Sequence, residues 1–226
     1  KMLKINIKKY FIMKKIIIIG AGAMGSAFAV PCLENKNEVT LVGTHLEDEL
    51  INNIQLNNNF HPALNIKLPS NLKVEKYDKL KSILEGGIDI IVAGVSSVGI
   101  EWFVKQITKS YKKNTPIILL TKGLAIEDNE LITLSDKIKK LLKDQGHTDV
   151  NISAIKGPCL AAGLAYKMRT GTVIANPDIK ETEKLKKIIS TNYYSTEVSD
   201  DLTGIELSGA IKNIYSMLIG ASEGLS

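Results

Sequence analysis

KKIIIIGAGAMGSA, residues 14–27, is the stretch of sequence that decides the fold. Four consecutive isoleucines, Ile16 to Ile19, form a short β-branched run, which is typical of a strand buried on both faces inside a parallel sheet. The run leads directly into Gly20, Gly22 and Gly25, the three glycines of a G-x-G-x-x-G pattern. The stretch therefore predicts a strand, a tight turn and a helix, in that order.

Each position of this pattern requires glycine for a different physical reason. Gly20 permits the tight turn from strand to helix, and Gly22 lets a pyrophosphate reach the backbone without meeting a Cβ atom. Gly25 lets the new helix pack closely on the strand. Ala23 and Met24 lie between these last two glycines, at a helix start whose free N–H groups and positive dipole end face the phosphates. The loop therefore predicts a dinucleotide site, and the alternative is that the glycines only make a tight turn.

The composition is that of an ordinary globular protein of 226 residues, with 44% hydrophobic and 23% charged residues. At about 150 residues per domain, this length fits one large domain, or one domain with part of another. The net charge of +5 comes almost entirely from lysine, since Arg169 is the only arginine, and aromatic residues make up 5%. Nucleic-acid surfaces favour clustered arginines with aromatics, so the charge indicates a solvated surface that mildly attracts anionic metabolites and no nucleic-acid partner.

The two cysteines, Cys32 and Cys159, lie far apart without metal-ligand spacing. We therefore expect no metal and a reduced, cytoplasmic protein, with a single disulfide as the open alternative. The sequence contains no apolar run of the ~20 residues that a membrane span needs. Residues 1–12 lack the long apolar core and the cleavage site of a signal peptide. Because the chain opens on Lys1, we expect these residues to reflect where the sequence was cut and the domain to begin at Met13.

Strand patterns and helical patterns alternate along the chain, which predicts an α/β fold with a mostly parallel, Rossmann-type sheet and helices on both faces. After the first strand, we expect strands at 38–43, 72–74, 88–95, 116–121, 150–155, 172–175 and 193–198. We expect helices at 26–33, 47–58, 80–84, 102–107 and 129–143. The last of these has apolar residues at helical spacing, which predicts a core-facing stripe of Leu131, Leu134, Ile138, Leu141 and Leu142.

Ligands bind at the carboxyl ends of strands in open α/β sheets, and two such ends carry candidate cofactor contacts. The dinucleotide pattern expects a carboxylate about 20 residues after the loop, to hold the ribose hydroxyls of NAD. Thr44 and His45 occupy that place and could donate hydrogen bonds to a 2′-phosphate, so we expect NAD or NADP, with a preference for NADP. The alternative for His45 is an ordinary surface histidine. Ser96 and Ser97 follow the strand at 88–95 and either contact the cofactor or cap the next helix.

Cys159 stands near the end of another predicted strand, directly after Gly157 and Pro158. A cysteine in such a place could act as a nucleophile. No histidine lies near it in the sequence, and we therefore favour a structural thiol.

The pattern changes from Asp200 onward, where residues 203–215 form a long helical pattern rich in small residues. We expect this segment to start a separate all-helical unit. Its apolar positions need a partner surface, and they are Leu207, Ile211, Ile214 and Leu218. A second copy of the chain could supply that surface, so a homodimer is one expectation.

Three further segments, together with the glycine loop, resemble the bacterial form of the NAD(P)-dependent glycerol-3-phosphate dehydrogenases. Residues 121–124 read TKGL, and residues 157–158 match the start of the family's GPS segment. Residues 199–213 read SDDLTGIELSGAIKN, close to the family's SDDxxGxELxGALKN. Order and spacing agree as well, so the resemblance covers residues 13–226.

The resemblance implies an NAD(P)-binding domain at residues 13–199 and the beginning of a truncated helical substrate domain at residues 200–226. The rest of that domain, with the arginine and asparagine that grip the substrate phosphate, is expected beyond Ser226. Two departures affect the site. Ser96 stands where the family has a proline, and residues 157–163 read GPCLAAG where the family has GPSFAxE.

The reaction that the resemblance implies is reversible hydride transfer between dihydroxyacetone phosphate and sn-glycerol 3-phosphate, which feeds glycerophospholipid synthesis. The carbonyl oxygen gains negative charge as hydride arrives, so a proton donor and a nearby cation are needed. Lys212 is the candidate acid/base, Lys122 the second cation and cofactor contact, and Asn213 a hydrogen-bond donor to the substrate. Two converging ammonium groups lower each other's pKa, which suits a proton shuttle. The alternative is that both lysines are ordinary solvated residues.

Two other functions stay open at this point. The glycine loop alone also fits a related NAD(P)-dependent reductase of a small oxo acid, such as a ketopantoate reductase. The chain could also be a nucleotide-binding module without catalysis.

Overall fold

The protein is described by a computed structural model that covers residues 13–225. The expectations for residues 1–12 and for Ser226 lie outside the described residues. The strands are β1 (Lys15–Ile19), β2 (Glu38–Val42), β3 (Phe60–His61), β4 (Ile66–Lys67), β5 (Lys73–Glu75), β6 (Ile90–Ala93), β7 (Ile117–Leu119), β8 (Leu124–Glu127), β9 (Glu130–Thr133), β10 (Ile152–Lys156), β11 (Thr170–Ala175) and β12 (Tyr194–Ser199). The helices are α1 (Ala23–Glu34), α2 (Asp48–Leu56), α3 (Leu80–Glu85), α4 (Ile100–Ile107), α5 (Leu134–Asp144), α6 (Ala161–Ala165), α7 (Ile179–Ile189) and α8 (Leu202–Gly224).

One eight-stranded sheet, in the order β12-β11-β10-β7-β6-β1-β2-β5, forms the centre of the fold. Neighbouring strands run parallel except β10 and β11, which are antiparallel. β1 lies between β2 and β6, with Ile17 opposite Thr40 on one side and Ile91 on the other. The predicted α/β class with a mostly parallel, Rossmann-type sheet is therefore confirmed.

The core lies on both faces of this sheet because side chains alternate along each strand. Ile16 and Ile18 belong to the core beneath α1, α2, α6 and α7, whereas Ile17 and Ile19 belong to the core beneath α3, α4 and α5. All four isoleucines are buried. A four-residue apolar run without polar alternation is what such a doubly covered strand requires.

Residues 129–133 were predicted wrongly, since the start of the expected 129–143 helix is instead the turn and second strand of the β8–β9 hairpin. Asp128 and Asn129 form its two-residue turn, with φ of 49° and 64°. Positive φ at both central residues is the geometry that two-residue hairpins favour, and Asp and Asn tolerate it better than most residues. Leu131 consequently points to solvent instead of joining a core stripe.

The remaining part of that predicted stripe is confirmed on α5. Leu134, Ile138 and Leu142 are buried beneath the sheet, and Leu141 packs partly against them. The helix begins after Thr133, whose Oγ1 accepts a hydrogen bond from the Asp136 amide at 3.1 Å and caps the helix N-terminus.

Helix α8 packs on the sheet only through its first turns. Leu202 and Ile205 lie against Ala154 and Ala175, on β10 and β11. Beyond them, the apolar residues that were predicted to need a partner surface are exposed, namely Leu207, Ile211, Ile214 and Leu218. The division into domains at residues 199 and 200 stays a prediction.

Both cysteines, Cys32 and Cys159, are buried free thiols. Among residues 13–225, none of the helices combines the length and the apolar character that a membrane crossing requires.

Candidate active site

The glycine loop has the geometry that its sequence pattern predicts. Gly20 has a φ of 110°, and a Cβ atom on it would lie 2.7 Å from the carbonyl of Gly94. A Cβ atom on Gly25 would lie 2.2 Å from the carbonyl oxygen of Gly20, so α1 packs closely on β1 only because this residue is glycine. Gly22 faces open space, where the nearest atom to a built Cβ is Glu47 Oε1 at 3.9 Å. Gly22 therefore leaves room for a group that approaches the backbone.

A cavity of about 420 Å³ opens beside this loop, at the carboxyl ends of β1, β6 and β7. It brings together several of the predicted cofactor contacts from three separate parts of the sequence. Its lining consists of Gly22, Ala23, Met24, Gly94, Val95, Ser96, Ser97, Leu120, Thr121 and Lys122. Because α1 begins at Ala23 without a side-chain cap, its first amide groups and positive dipole end face this space. The cavity fits the phosphates of a dinucleotide.

Ser96 and Ser97 lie on the wall of this cavity. Ser96 precedes a short 3₁₀ turn, Ser97–Gly99, and its side chain makes no capping hydrogen bond to that turn. The α4 helix begins after the turn, at Ile100, which is two residues earlier than predicted. The capping alternative is therefore not supported at Ser96, and its hydroxyl group remains available to a ligand.

Glu47 is a site residue that the sequence reasoning missed. Its Oε2 accepts hydrogen bonds from the amide of Ala21 at 3.0 Å and from the amide of Thr44 at 2.7 Å. The expectation from the sequence had Thr44 and His45 at the place of the usual ribose-binding carboxylate, and the structure brings the Glu47 carboxylate close to that place. The turn in which the Glu47 amide donates to the Thr44 carbonyl at 3.0 Å folds the carboxylate back over the loop. The available signal was an acidic residue at the start of a predicted helix, shortly after a strand end.

Thr44 and His45 follow β2, as predicted, but neither stands free in the cavity. The Thr44 amide is bound to Glu47, and the His45 ring packs against Trp102 with ring centroids 5.1 Å apart. Tyr77 completes this aromatic group, 5.5 Å from Trp102 and 6.2 Å from His45. A second cavity of about 630 Å³ is lined by these three rings together with Lys81, Lys105 and Lys109. His45 is exposed and its ring belongs to this aromatic group, so both interpretations, as a cofactor contact and as an ordinary surface histidine, stay predictions.

The two lysines predicted to work together are close enough to interact. Lys122 lies just beyond the end of β7, where the hydroxyl of Thr121 donates to the Val95 carbonyl at 2.7 Å and fixes the chain. Partial burial lowers the pKa of Lys122, and the positive charge of Lys212 on α8 lowers it further. A Cys159 thiolate would act in the opposite direction. Asn213 follows Lys212 on the exposed part of α8.

Cys159 lies near Lys122 but is a poor nucleophile. Burial raises the pKa of its thiol, while a hydrogen bond with Thr170 and the charge of Lys122 oppose that rise only in part. Since the thiolate is the reactive form, the structure favours the structural interpretation.

Lys156 and Glu206 form a buried charged group next to Thr121, a residue that lines the cavity, and the sequence reasoning missed both. Lys156 is 4% exposed and Glu206 is fully buried. Burial lowers the pKa of Lys156 to about 8, against the opposing influence of the Glu206 carboxylate. Lys156 ends an apolar strand, and a lysine at such a place is a signal that sequence inspection could have used.

Comparisons with known proteins agree with this geometry. The family model described as NAD-dependent glycerol-3-phosphate dehydrogenase N-terminus matches residues 15–182. An NADP(+)-dependent glycerol-3-phosphate dehydrogenase of Archaeoglobus fulgidus is 35% identical over 204 residues, covering 90% of this chain and 59% of the relative. A glycerol-3-phosphate dehydrogenase [NAD(P)+] of Shouchella clausii is 29% identical, covering 94% of this chain and 61% of the relative.

A solved structure has the same fold. The crystal structure of glycerol-3-phosphate dehydrogenase from Coxiella burnetii superposes with a TM-score of 0.79 at 25% identity, covering 94% of this chain and 62% of that one. The chain thus spans about three fifths of the length of the curated relatives that it matches.

Proposed function

The chain belongs to the NAD-dependent glycerol-3-phosphate dehydrogenase family, and we propose that it forms the nucleotide-binding part, with the acid/base lysine, of an enzyme that interconverts sn-glycerol 3-phosphate and dihydroxyacetone phosphate. The family match covers residues 15–182, which include the glycine loop, the cavity and Lys122. The observation that carries the proposal is that Lys122 lines the cavity beside the glycine loop and lies close enough to Lys212 on α8 to be influenced by its charge.

The residues around the cavity fit a nicotinamide dinucleotide, which would supply or accept the hydride when bound. Gly22 leaves open space where the backbone meets the phosphates, and the N-terminus of α1 faces the same space. Ser96 and Ser97 offer hydroxyl groups from the opposite wall. These features support the binding of NAD or NADP.

The lysine pair supplies the remaining chemistry that carbonyl reduction needs. Negative charge develops on the carbonyl oxygen in the transition state, and a positioned cation stabilises it. Lys212 is proposed to donate the proton to that oxygen, and Lys122 to stabilise its charge. Because partial burial and the charge of Lys212 lower the pKa of Lys122, Lys122 releases its proton more easily than an isolated lysine. Asn213, next to Lys212, is proposed to donate a hydrogen bond to the substrate.

The charge around the cavity supports a phosphorylated substrate. Lys122 lines the cavity, and the positive charge of Lys212 on α8 acts on it. The positive charge of these lysines attracts a small dianion such as dihydroxyacetone phosphate. The family match favours this reaction over reduction of an oxo acid by a ketopantoate reductase-like enzyme.

Glu47 supports NAD over NADP, contrary to the preference expected from the sequence. Its carboxylate lies between the glycine loop and the end of β2, where a ribose hydroxyl could donate to it. A 2′-phosphate at the same place would meet a like charge. One relative is named NADP(+)-dependent and another NAD(P)+, so both nucleotides belong in the test.

A fluorescence titration tests the binding step. The chain is titrated with NADH and with NADPH, and the emission of the reduced nicotinamide is followed. The Gly22→Trp variant should abolish saturable binding, because the indole fills the open space beside the loop. Gly220→Trp is the matched control, since Gly220 on α8 also faces open space and the same indole there should leave binding unchanged.

Oxidation of NADH in the presence of dihydroxyacetone phosphate tests the reaction. Turnover that is lost in Lys212→Ala supports the proposed acid/base, whereas binding without turnover by the intact chain would indicate a nucleotide-binding module without catalysis. A folded chain that binds neither nucleotide would refute the proposal.

Two wider expectations stay predictions. The exposed apolar residues Ile214, Met217 and Leu218 of α8 support a packing partner, and a homodimer is the simplest one. Sedimentation equilibrium would detect it. A cytoplasmic location agrees with two free thiols and is checked by fractionation of cells.

A further inference from the structure

Lys156 is a buried lysine for which the proposed reaction has no use. It ends β10 beside Thr121, a residue that lines the cavity, and its side chain is buried. A buried ammonium group is costly unless hydrogen bonds and opposite charge compensate it. The groups that contact Lys156 therefore indicate its structural role.

The ammonium group of Lys156 binds the end of β7. Its Nζ donates to the carbonyl of Thr121 at 2.8 Å and to the carbonyl of Leu119 at 3.2 Å. The backbone pairing between β10 and β7 ends where Ala154 lies opposite Leu119. Beyond that point, the side chain of Lys156 provides the hydrogen bonds between the two strands. The Thr121 carbonyl belongs to the peptide bond that leads into Lys122, and this bond is thereby fixed.

The stem of Lys156 binds α8 through close packing. A Cβ atom on Gly209 would lie 3.0 Å from Lys156 Cδ and 3.2 Å from Cγ, so the helix approaches the stem as closely as a glycine allows. Lys212 lies three residues further along α8, about one turn from this contact.

The Glu206 carboxylate completes the arrangement from the preceding turn of α8. Its Oε1 accepts from the Ser135 amide at 3.2 Å, while Oε2 is buried without a hydrogen-bond partner among the described residues. Two charges on neighbouring elements act on the pKa of Lys156 in opposite directions. The Glu206 carboxylate on α8 raises it, and the Lys122 ammonium group beyond β7 lowers it.

We propose that Lys156 is a positioning residue that joins the end of β7 to α8 and so holds Lys122 and Lys212 together. Lys156 fixes the position of Lys122 by its hydrogen bonds to the carbonyls of Leu119 and Thr121. It fixes the position of Lys212 by the close packing of its stem against Gly209 on the same helix. The catalytic meaning of this link rests on the proposed function, but the link itself can be measured in the chain without turnover.

A mutant cycle on the pKa of Lys122 tests the link. Lysine side-chain NMR gives this pKa in the wild-type chain, in Lys212→Met, in Lys156→Met and in the double variant. In the wild-type background, Lys212→Met should raise the pKa of Lys122, because a neighbouring positive charge is removed. In the Lys156→Met background the same change should give a rise at most half as large, since the two lysines have separated.

Two further variants guard against a trivial loss of structure. Lys156→Arg keeps the charge and the donors and should restore most of the coupling. Gly209→Ala keeps Lys156 but pushes α8 from its stem, and it should weaken the coupling in the same direction if Lys156→Met does not fold. Lys105→Met, which removes an exposed lysine of α4, is the control that should leave the coupling intact.

An equal effect of Lys212→Met in the wild-type and Lys156→Met backgrounds would overturn the proposal, and if Lys156→Met does not fold, an equal effect in the wild-type and Gly209→Ala backgrounds would do so. Binding of NADH is titrated in the same samples. A chain that shows the coupling but binds no nucleotide would sink the proposed function and leave the positioning role standing, so the two failures are distinguishable.

Discussion

Replacing Lys156 by methionine should remove a pH dependence from the stability of this fold. Burial holds the pKa of Lys156 at about 8 in the folded chain, below its ordinary value of 10.5. Between these two values, the unfolded chain keeps a proton on Lys156 that the folded chain has released. The free energy of unfolding therefore rises as the pH rises from about 8 towards 10.5, and below pH 8 the folded state carries the full cost of the buried charge.

The size of this effect follows from the change in pKa. One pKa unit corresponds to about 1.4 kcal/mol, so a fall from 10.5 to about 8 gives a limiting contribution of about 3 kcal/mol. Over the more accessible range from pH 7 to pH 9.5, most of the transition of the folded lysine is covered, and the expected gain is about 2 kcal/mol. This is a large fraction of the stability of a typical domain.

Urea unfolding at several pH values measures this gain. The wild-type chain should become more stable relative to Lys156→Met as the pH rises, while a constant offset between them reports only the lost hydrogen bonds and packing. Lys105→Met should follow the wild-type curve, because Lys105 is exposed. Parallel curves for the wild type and Lys156→Met would show that Lys156 does not titrate in this range, and the reasoning from its burial would be wrong.

Three other substitutions give separate expectations. In a chain that turns over dihydroxyacetone phosphate, Lys212→Ala should lower kcat by ~10²-fold or more with little change in the Kd of NADH, as expected for loss of an acid/base group; normal turnover would remove Lys212 from the mechanism. Gly25→Ala should destabilise the chain by about 2 kcal/mol or more in urea, since its Cβ would lie 2.2 Å from a backbone oxygen, whereas Gly220→Ala should not destabilise it. Glu47→Gln should weaken NADH binding more than NADPH binding, because the like charge that opposes a 2′-phosphate is lost; an unchanged ratio of the two Kd values would show that Glu47 only holds the loop.

The local pattern of the sequence was enough to predict the central strands and the glycine loop. Ile16 to Ile19 could be placed on both faces of a sheet because a doubly buried strand has a recognisable composition. The wrong prediction at residues 129–133 has a local cause, since the turn at Asp128 and Asn129 interrupts a pattern whose apolar spacing also fits a helix. Short apolar runs leave helix and strand ambiguous, and the turn residues decide between them.

Glu47 and Lys156 were missed because their roles depend on contacts that spacing does not encode. Glu47 reaches the amide of Ala21, 26 residues away, through a turn whose direction is set by α2. Lys156 reaches Thr121, 35 residues away, across neighbouring strands of the sheet. The pair of Lys122 and Lys212 was predicted from the family resemblance, and the structure brings them within range of each other.

The aromatic group beside the end of β2 gives the chain its own optical probe. Trp102 is the only tryptophan in the sequence, and it packs on His45 and Tyr77 next to the proposed nucleotide site. The emission band of tryptophan overlaps the absorption band of a reduced nicotinamide. Bound NADH should therefore quench the fluorescence of Trp102 by resonance energy transfer. Because all tryptophan emission comes from Trp102, a single unlabelled sample reports whether the nucleotide site is occupied. The same emission reports whether the contact between α4 and the end of β2 is intact.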